Sequence, residues 1–482
     1  MTCKKPEIIK NKFISTIIGS LGVYLGIAFL LPISNFSVYI TSYIHLNQDF
    51  VTMHYGMFLH LIMTFSISAA NALGGILENS IGFFLTIFFG LLILLIGNII
   101  FIYQQNIWLC YLLTSIMGIG AGISISLLGK NITFYYPEKK GLITGICSLI
   151  MVPFAAIFSI IGEKIIVFDG YTLKENEEFY PKEIAERINL YYILGFVFIP
   201  IGGLLAYLFI YEYNPENINN ENKNEEQFIL NENISTQDKN NFNGKENIIN
   251  NNCNEIELTK IMAKTHVKQV IKTFRFWRLS LISFLIEFSI SFMINTGRTF
   301  GAIIGINGEA LQFLIVFNAI STVIFGPILG FLVDKKGALF LLRIISIIII
   351  IPGILLTFYM EKTFIFIFSF IIDILGLAVL MVGFGPFIME IYGIQESVIL
   401  GGINKTISKL SDIFTIMGAF IVSFFYSKLE LKNPYRLFYI LTSICSFFSA
   451  LLLFIETNEK YQYEDSSFEK ENNNENELNQ IN

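Results

Sequence analysis

The chain has 482 residues, of which 54% are hydrophobic and 15% charged, with a mean hydropathy of +0.62 and a net charge of −6. No water-soluble domain keeps that balance over such a length, which excludes a soluble enzyme, a nucleic-acid binder and a secreted disulfide scaffold and points to an all-α integral membrane protein. A membrane helix takes about 20 apolar residues, so twelve spans would use roughly half the chain, close to its apolar share.

In chain order, Lys4, Lys5, Lys10 and Lys12 precede an apolar run from Phe13 towards Ile40 that is too long for a signal peptide and reads as a retained first span. Apolar stretches between charged or turn-rich breaks then predict spans near 13–36, 55–77, 81–103, 107–129, 141–162 and 190–212. A second set follows near 276–296, 309–333, 338–359, 363–388, 398–426 and 434–455. Pro32, Pro153 and Pro352 fall inside these runs and are candidate kinks. Residues 1–212 and 276–457 are thus two six-helix halves. Between them, 213–255 is dominated by Asn and Glu and reads as a disordered cytosolic linker, and the acidic tail 458–482 has the same character.

The stretch 256–275 is basic and amphipathic, with Lys260, Lys264, Lys268 and Lys272 at every fourth position. That spacing suits either a helix on the membrane surface or a solvated helix leading into span seven. Cys3, Cys110, Cys147, Cys253 and Cys445 lie too far apart for a metal site or a disulfide framework and read as reduced. Lysines in the first residues, in Glu138–Gly141 and in Asp334–Gly337, against none near 41–54 and 103–107, place both termini in the cytosol. Lys428, Lys432 and Arg436 run against that bias.

The turn after span two runs from Gly75 through Leu77, Glu78, Asn79 and Ser80 to Gly82. The turn after span eight runs from Gly330 through Leu332, Asp334, Lys335 and Lys336 to Gly337. Both fit G-x-L-x-x-x-x-G at equivalent places in two halves, the duplication expected of carriers whose halves rock about a midplane site. With these motifs the chain resembles the major facilitator superfamily, whose loop signature is approximately G-x-L-a-D-R-x-G. Asp334 and Lys335 occupy the charged places in the second copy, whereas Asn79 and Ser80 leave the first uncharged. The resemblance implies that Gly75, Gly82, Gly330, Asp334, Lys335 and Gly337 form conformational-switch turns.

Gly118, Gly120 and Gly122 in span four, Tyr136-Pro137-Glu138-Lys139-Lys140-Gly141-Leu142 with Gly145, Phe276-Trp277, and Pro386 with Tyr392-Gly393 are similar to the monocarboxylate and oxalate/formate porters. That likeness implies a carrier of small organic anions. The span-eight arginine common in that group is missing, since residues 322–327 hold no charge. Arg298, at the outer end of span seven, is a candidate substitute.

A charge at the bilayer centre costs about 2.5–3.5 kcal/mol, so those inside spans must be paired or functional. They are Glu287, Asp373, Lys405, Lys409 and Asp412. The last three recur at i, i+4 and i+7 and share one helix face. Lys409, Lys405 and Arg298 are therefore substrate-binding candidates, and Glu287, Asp373, Asp412 and His60 are candidates for proton coupling or ion pairing. A purely structural alternative pairs Lys409 with Asp412 and leaves Glu287 and Asp373 to other partners.

The resulting expectation is a monomeric, proton-coupled secondary transporter of an organic anion such as a monocarboxylate, with the lipid bilayer as its surroundings, no cofactor or metal and no nucleic-acid partner. The absence of a Walker-type loop agrees with transport that uses no nucleotide. A carrier of amino acids or other neutral or cationic solutes, and a non-transporting receptor on the same fold, are the alternatives.

Overall fold

The computed structural model describes residues 12–52, 54–167, 179–213, 266–303, 308–359, 362–429, 435–457 and 459–460, and it is helical throughout, without a strand among them. The linker, the start of the basic stretch and nearly all of the tail lie outside the described residues. The first crossing consists of α1 (Lys12–Ala28) and α2 (Ile33–His45). There follow α3 (His54–Ile81), α4 (Phe83–Phe101), α5 (Ile107–Tyr135) and α6 (Lys140–Ile166), then a one-turn α7 (Lys182–Ala185) packed on α2, and α8 (Ile188–Phe209). The second half comprises α9 (Phe274–Ile303), α10 (Gly308–Lys336), α11 (Ala338–Ile348) with α12 (Ile350–Tyr359), α13 (Thr363–Tyr392), α14 (Ile394–Leu429) and α15 (Tyr435–Ile455).

Among the described residues ten of these segments are long and apolar enough to cross a membrane. With α10 and α14 the crossings number twelve, six in each half.

Proline breaks account for the two crossings that are split. Pro32 lacks the N–H that would continue α1, and the chain turns over Phe29–Pro32 before α2 starts. The Phe29 carbonyl freed by that turn accepts a hydrogen bond from the Tyr191 hydroxyl at 2.7 Å, so the opened backbone stays satisfied inside the bundle. Pro352 sits in the first turn of α12, just after the break at Ile349. Pro153 is carried inside a continuous α6.

The two motif turns have one geometry. Gly82 precedes α4 with φ 86°, and Gly337 precedes α11 with φ 88°. A Cβ at Gly82 would meet nothing within 4 Å, so the backbone conformation and not space demands glycine there. This end of the bundle, which also holds the start of α6, is called the turn face below.

The halves meet through backbone contacts towards that face. α6 packs against α10, and α3 against α14. A Cβ on Gly141 would lie 2.6 Å from the Gly330 carbonyl oxygen, and one on Gly145 would lie 2.4 Å from that of Gly326. One on Gly402 would lie 2.5 Å from the Ala72 nitrogen. Backbone therefore touches backbone across the boundary, the close approach that small residues permit between membrane helices. Gly145→Ala is expected to lower the thermal midpoint in detergent by the equivalent of about 1–3 kcal/mol of overpacking. Gly129→Ala, where a Cβ meets nothing within 4 Å, leaves it unchanged. Equal midpoints for the two variants would show that the crossing opens without cost.

Candidate functional site

In α14 the spacing of Lys405, Lys409 and Asp412 gives a charged stripe one turn apart at each step, and α9 packs alongside. The Lys409 ammonium lies 3.1 Å from Asp412 Oδ2 and also pairs with Glu287 Oε1 of α9. All three side chains are almost wholly buried. Glu287 is therefore not paired elsewhere, as the structural alternative would have it, but is the second counter-ion of Lys409. Two carboxylates on one ammonium leave a surplus negative charge, and Lys405 lies near enough to Lys409 and Glu287 to feel both. Lys405 makes no ion pair among the described residues, and it brings the group to two cations and two anions.

The first half reaches the same place through α3. His60 lies close enough to Asp412 and Lys409 to feel their charges. Its Nδ1 is buried without a hydrogen-bond partner, and so is Oδ1 of Asp412. Buried polar atoms are nearly always satisfied, so an unpartnered one on each side of the boundary between the halves marks a place that is incomplete as it stands. Residues from α3, α9 and α14 thus meet in one polar cluster inside a layer that otherwise excludes charge.

The remaining candidates lie apart. Asp373 is 3% exposed in α13, without an ion pair among the described residues, and the Ser369 hydroxyl one turn away is likewise buried and unpartnered. Arg298 belongs to α9, but its side chain lies outside the described residues. Cys110, Cys147 and Cys445 are free thiols.

At the turn face Asp334 bridges the halves. Its carboxylate accepts hydrogen bonds from the backbone N–H groups of Gly141 at 2.7 Å and Leu142 at 2.9 Å, the first turn of α6. The positive end of a helix dipole favours an anion there, and the two N–H groups otherwise have no partner within the helix. Lys140 adds an ion pair to Glu390 of α13 at 3.2 Å. The equivalent place in the first half is built differently, with Glu78 paired to Lys130 inside that half at 2.8 Å and Asn79 bearing no charge. Glu396, in the first turn of α14, instead faces His266 at 3.4 Å.

One cluster was not anticipated from the sequence. The Glu456 carboxylate, fully buried beyond the end of α15, accepts hydrogen bonds from Arg275 and Arg278 at the start of α9. Arg343 of α11 binds the carbonyls of Leu453 and Glu456. The only sequence signal for it was an acidic residue directly after an apolar span.

The profile of the Major Facilitator Superfamily matches residues 13–415. Among curated proteins no sequence relative matches. In fold the chain is similar to the major facilitator proton:xylose symporter XylE bound to 6-bromo-6-deoxy-D-glucose, with a TM-score of 0.67 and 14% identity over 93% of this chain and 97% of that one. It is also similar to the human organic anion transporter MFSD10 (TETRAN), with a TM-score of 0.59 and 12% identity over 92% of this chain and all of that one, 100%. The match of the family profile over most of the chain, on a bundle of two six-helix halves, makes this protein a member of the major facilitator superfamily, a multi-pass membrane transporter of a solute and not an enzyme.

Proposed function

We propose that the chain carries a small organic anion, a monocarboxylate or a close chemical relative, together with a proton, by alternating access, and that it works as a monomer. The observation that carries this reading is the cluster of Lys405, Lys409, Glu287 and Asp412 set against His60 at the boundary of the halves. An anionic substrate pairs with the Lys409 ammonium and displaces one of its two carboxylates. The displaced carboxylate then takes up a proton, because an uncompensated charge at that depth costs about 2.5–3.5 kcal/mol. In this reading His60, on the opposite half and near enough to feel the Asp412 charge, passes that proton to or from Asp412. Lys405 is the nearby second cation.

The lysine count of the short loops assigns the turn face to the cytosol, with both termini on that side. The arrangement described is then the one closed to the cytosol, and Asp334 is the latch that holds it. Opening separates Asp334 from the first turn of α6 and trades two charge-assisted hydrogen bonds for water. The fold accommodates a proton symporter in XylE and an organic anion transporter in MFSD10. A second reading, a carrier of amino acids or other neutral or cationic solutes, draws on Asp373, a buried carboxyl without an ion pair among the described residues.

Transport is tested by reconstituting the full chain in vesicles and offering labelled carboxylates, amino acids and sugars under an imposed pH gradient. Carboxylate uptake that rises when the entry side is acidified is the expected result; flux of amino acids alone would move the assignment to the second reading. Lys409→Ala is expected to lower anion flux by at least about 100-fold, the kinetic equivalent of a charge at membrane depth. Normal anion flux in that variant would place the binding site elsewhere. Asp334→Asn keeps the shape of the latch but weakens its charge-assisted bonds by about half, so the turn face should open more often. A thiol-specific, membrane-impermeant probe on an introduced cysteine near Leu142 should then react faster, and unchanged reactivity would reduce Asp334 to a packing role.

A further inference from the structure

The arginine cluster at the turn face carries more positive charge than its structural role requires. Arg275 donates to Glu456 Oε1 at 2.8 Å and to the carbonyls of Thr457 and Glu459, and Arg278 donates to Glu456 Oε2 at 3.0 Å. Arg343 donates to the Glu456 carbonyl at 2.6 Å, and its guanidinium lies over the Phe454 ring. Arg275 and Arg278 share the Glu456 carboxylate and Arg343 engages only carbonyls at the end of α15, so the guanidiniums outnumber the carboxylate they bind. Neither Nη1 of Arg278 nor that of Arg343 has a partner among the described residues. The Arg275 and Arg278 side chains are 20% and 23% exposed, so water or a ligand reaches them. Lys268 and Lys272, both exposed, lie in the segment that leads into α9.

The flank of this surface is apolar. Phe274 is 79% exposed, Ile455 58% and Trp277 52%, and the Trp277 indole N–H donates to the Ile271 carbonyl at 2.8 Å. A tryptophan held with its polar edge turned to backbone and its ring exposed is the side chain found at headgroup depth in membrane proteins. Val267 and Val270, the apolar face of the segment leading into α9, are buried against the protein, so that segment lies on the bundle and leaves its lysines outward.

We infer that Arg278, Arg343, Lys268 and Lys272 form a binding site for the headgroup of an anionic phospholipid, whose acyl chains start beside Trp277 and run inward past Leu281, which is 47% exposed one turn deeper in α9. The ligand must be both anionic and apolar, because guanidinium N–H groups without a partner among the described residues and exposed aromatic rings both occur in the first two turns of α9. A soluble phosphate meets only the first requirement. The acidic tail, with Glu464, Asp465, Glu469 and Glu471, is the competing occupant within the chain.

The chain holds two tryptophans, so Trp108→Phe leaves Trp277 as the sole indole and a local reporter. The full chain with that change is placed in phosphatidylcholine vesicles containing the same minor fraction of either brominated phosphatidylglycerol or brominated phosphatidylcholine. Quenching of Trp277 should report an occupancy about fivefold higher for the anionic lipid for each cation engaged. Lys268→Gln with Lys272→Gln, both exposed and outside the buried pairs, should reduce the preference, and adding Arg278→Gln should remove it. An excess of glycerol phosphate should leave the quenching in place. The proposal is overturned by equal quenching from the two lipids, by a preference that survives the lysine changes, by relief with glycerol phosphate, or by a preference that emerges only once residues 461–482 are removed.

Discussion

An ammonium inside a bilayer has to be paired, and the pairing of Lys409 determines what surrounds it. Its two carboxylates come from α14 itself and from α9, so the charge ties two crossings of the second half together. Removing any one partner would leave a charge in low dielectric, where the penalty is several kcal/mol. The cluster lies where α3 packs on α14, which makes His60, from the other half, part of the same electrostatic group. A relative movement of the halves therefore changes the surroundings of every charge in it at once. That coupling between buried charge and the boundary is what the alternating access proposed above would use.

The two halves are equivalent in path but not in charge. Gly82 and Gly337 share one backbone conformation, so the repeat survives as geometry. The ionisable groups have concentrated in the second half, with Glu287, Asp373, Lys405, Lys409 and Asp412 inside the bundle and Glu456 with its arginines at one end. Asp334 reaches across to cap α6, whereas the corresponding Asn79 carries no charge to offer α14. At the turn face the halves are thus joined by the Asp334 carboxylate, by the Lys140–Glu390 ion pair and by glycines that let backbones touch, and only the first two respond to charge.

Much of this was legible in the sequence, for reasons that separate local from distant information. The crossings stood out because apolar runs are long and their ends are punctuated by glycines that only certain backbone angles suit. Pro32, Pro153 and Pro352 were all legible as candidate kinks because a missing N–H acts on its own helix, and two of them adjoin breaks while α6 runs on through Pro153. Lys409 and Asp412 fall on one face by spacing alone. Their partner Glu287 did not, since 122 residues of chain separate it from Lys409 and nothing local states which face of α9 meets α14. The same distance hid the nearness of His60 to Asp412 and Lys409 and the gathering of Arg275, Arg278 and Arg343 around Glu456. Lys268 and Lys272 are exposed, as either sequence reading of that stretch allows, whereas burial of Val267 and Val270 against the protein depends on a groove that only the folded bundle supplies.

The central claim is that charge enters the cluster only in compensated form, an anion with a proton. Electrical measurement on reconstituted vesicles tests this most directly, by clamping the pH gradient to zero while a potassium diffusion potential is imposed, and then the reverse. The account requires flux that follows the pH gradient and is indifferent to the potential. Flux that follows the potential with no pH gradient present would contradict it, because a net charge would then be crossing through a cluster that has no means of carrying one.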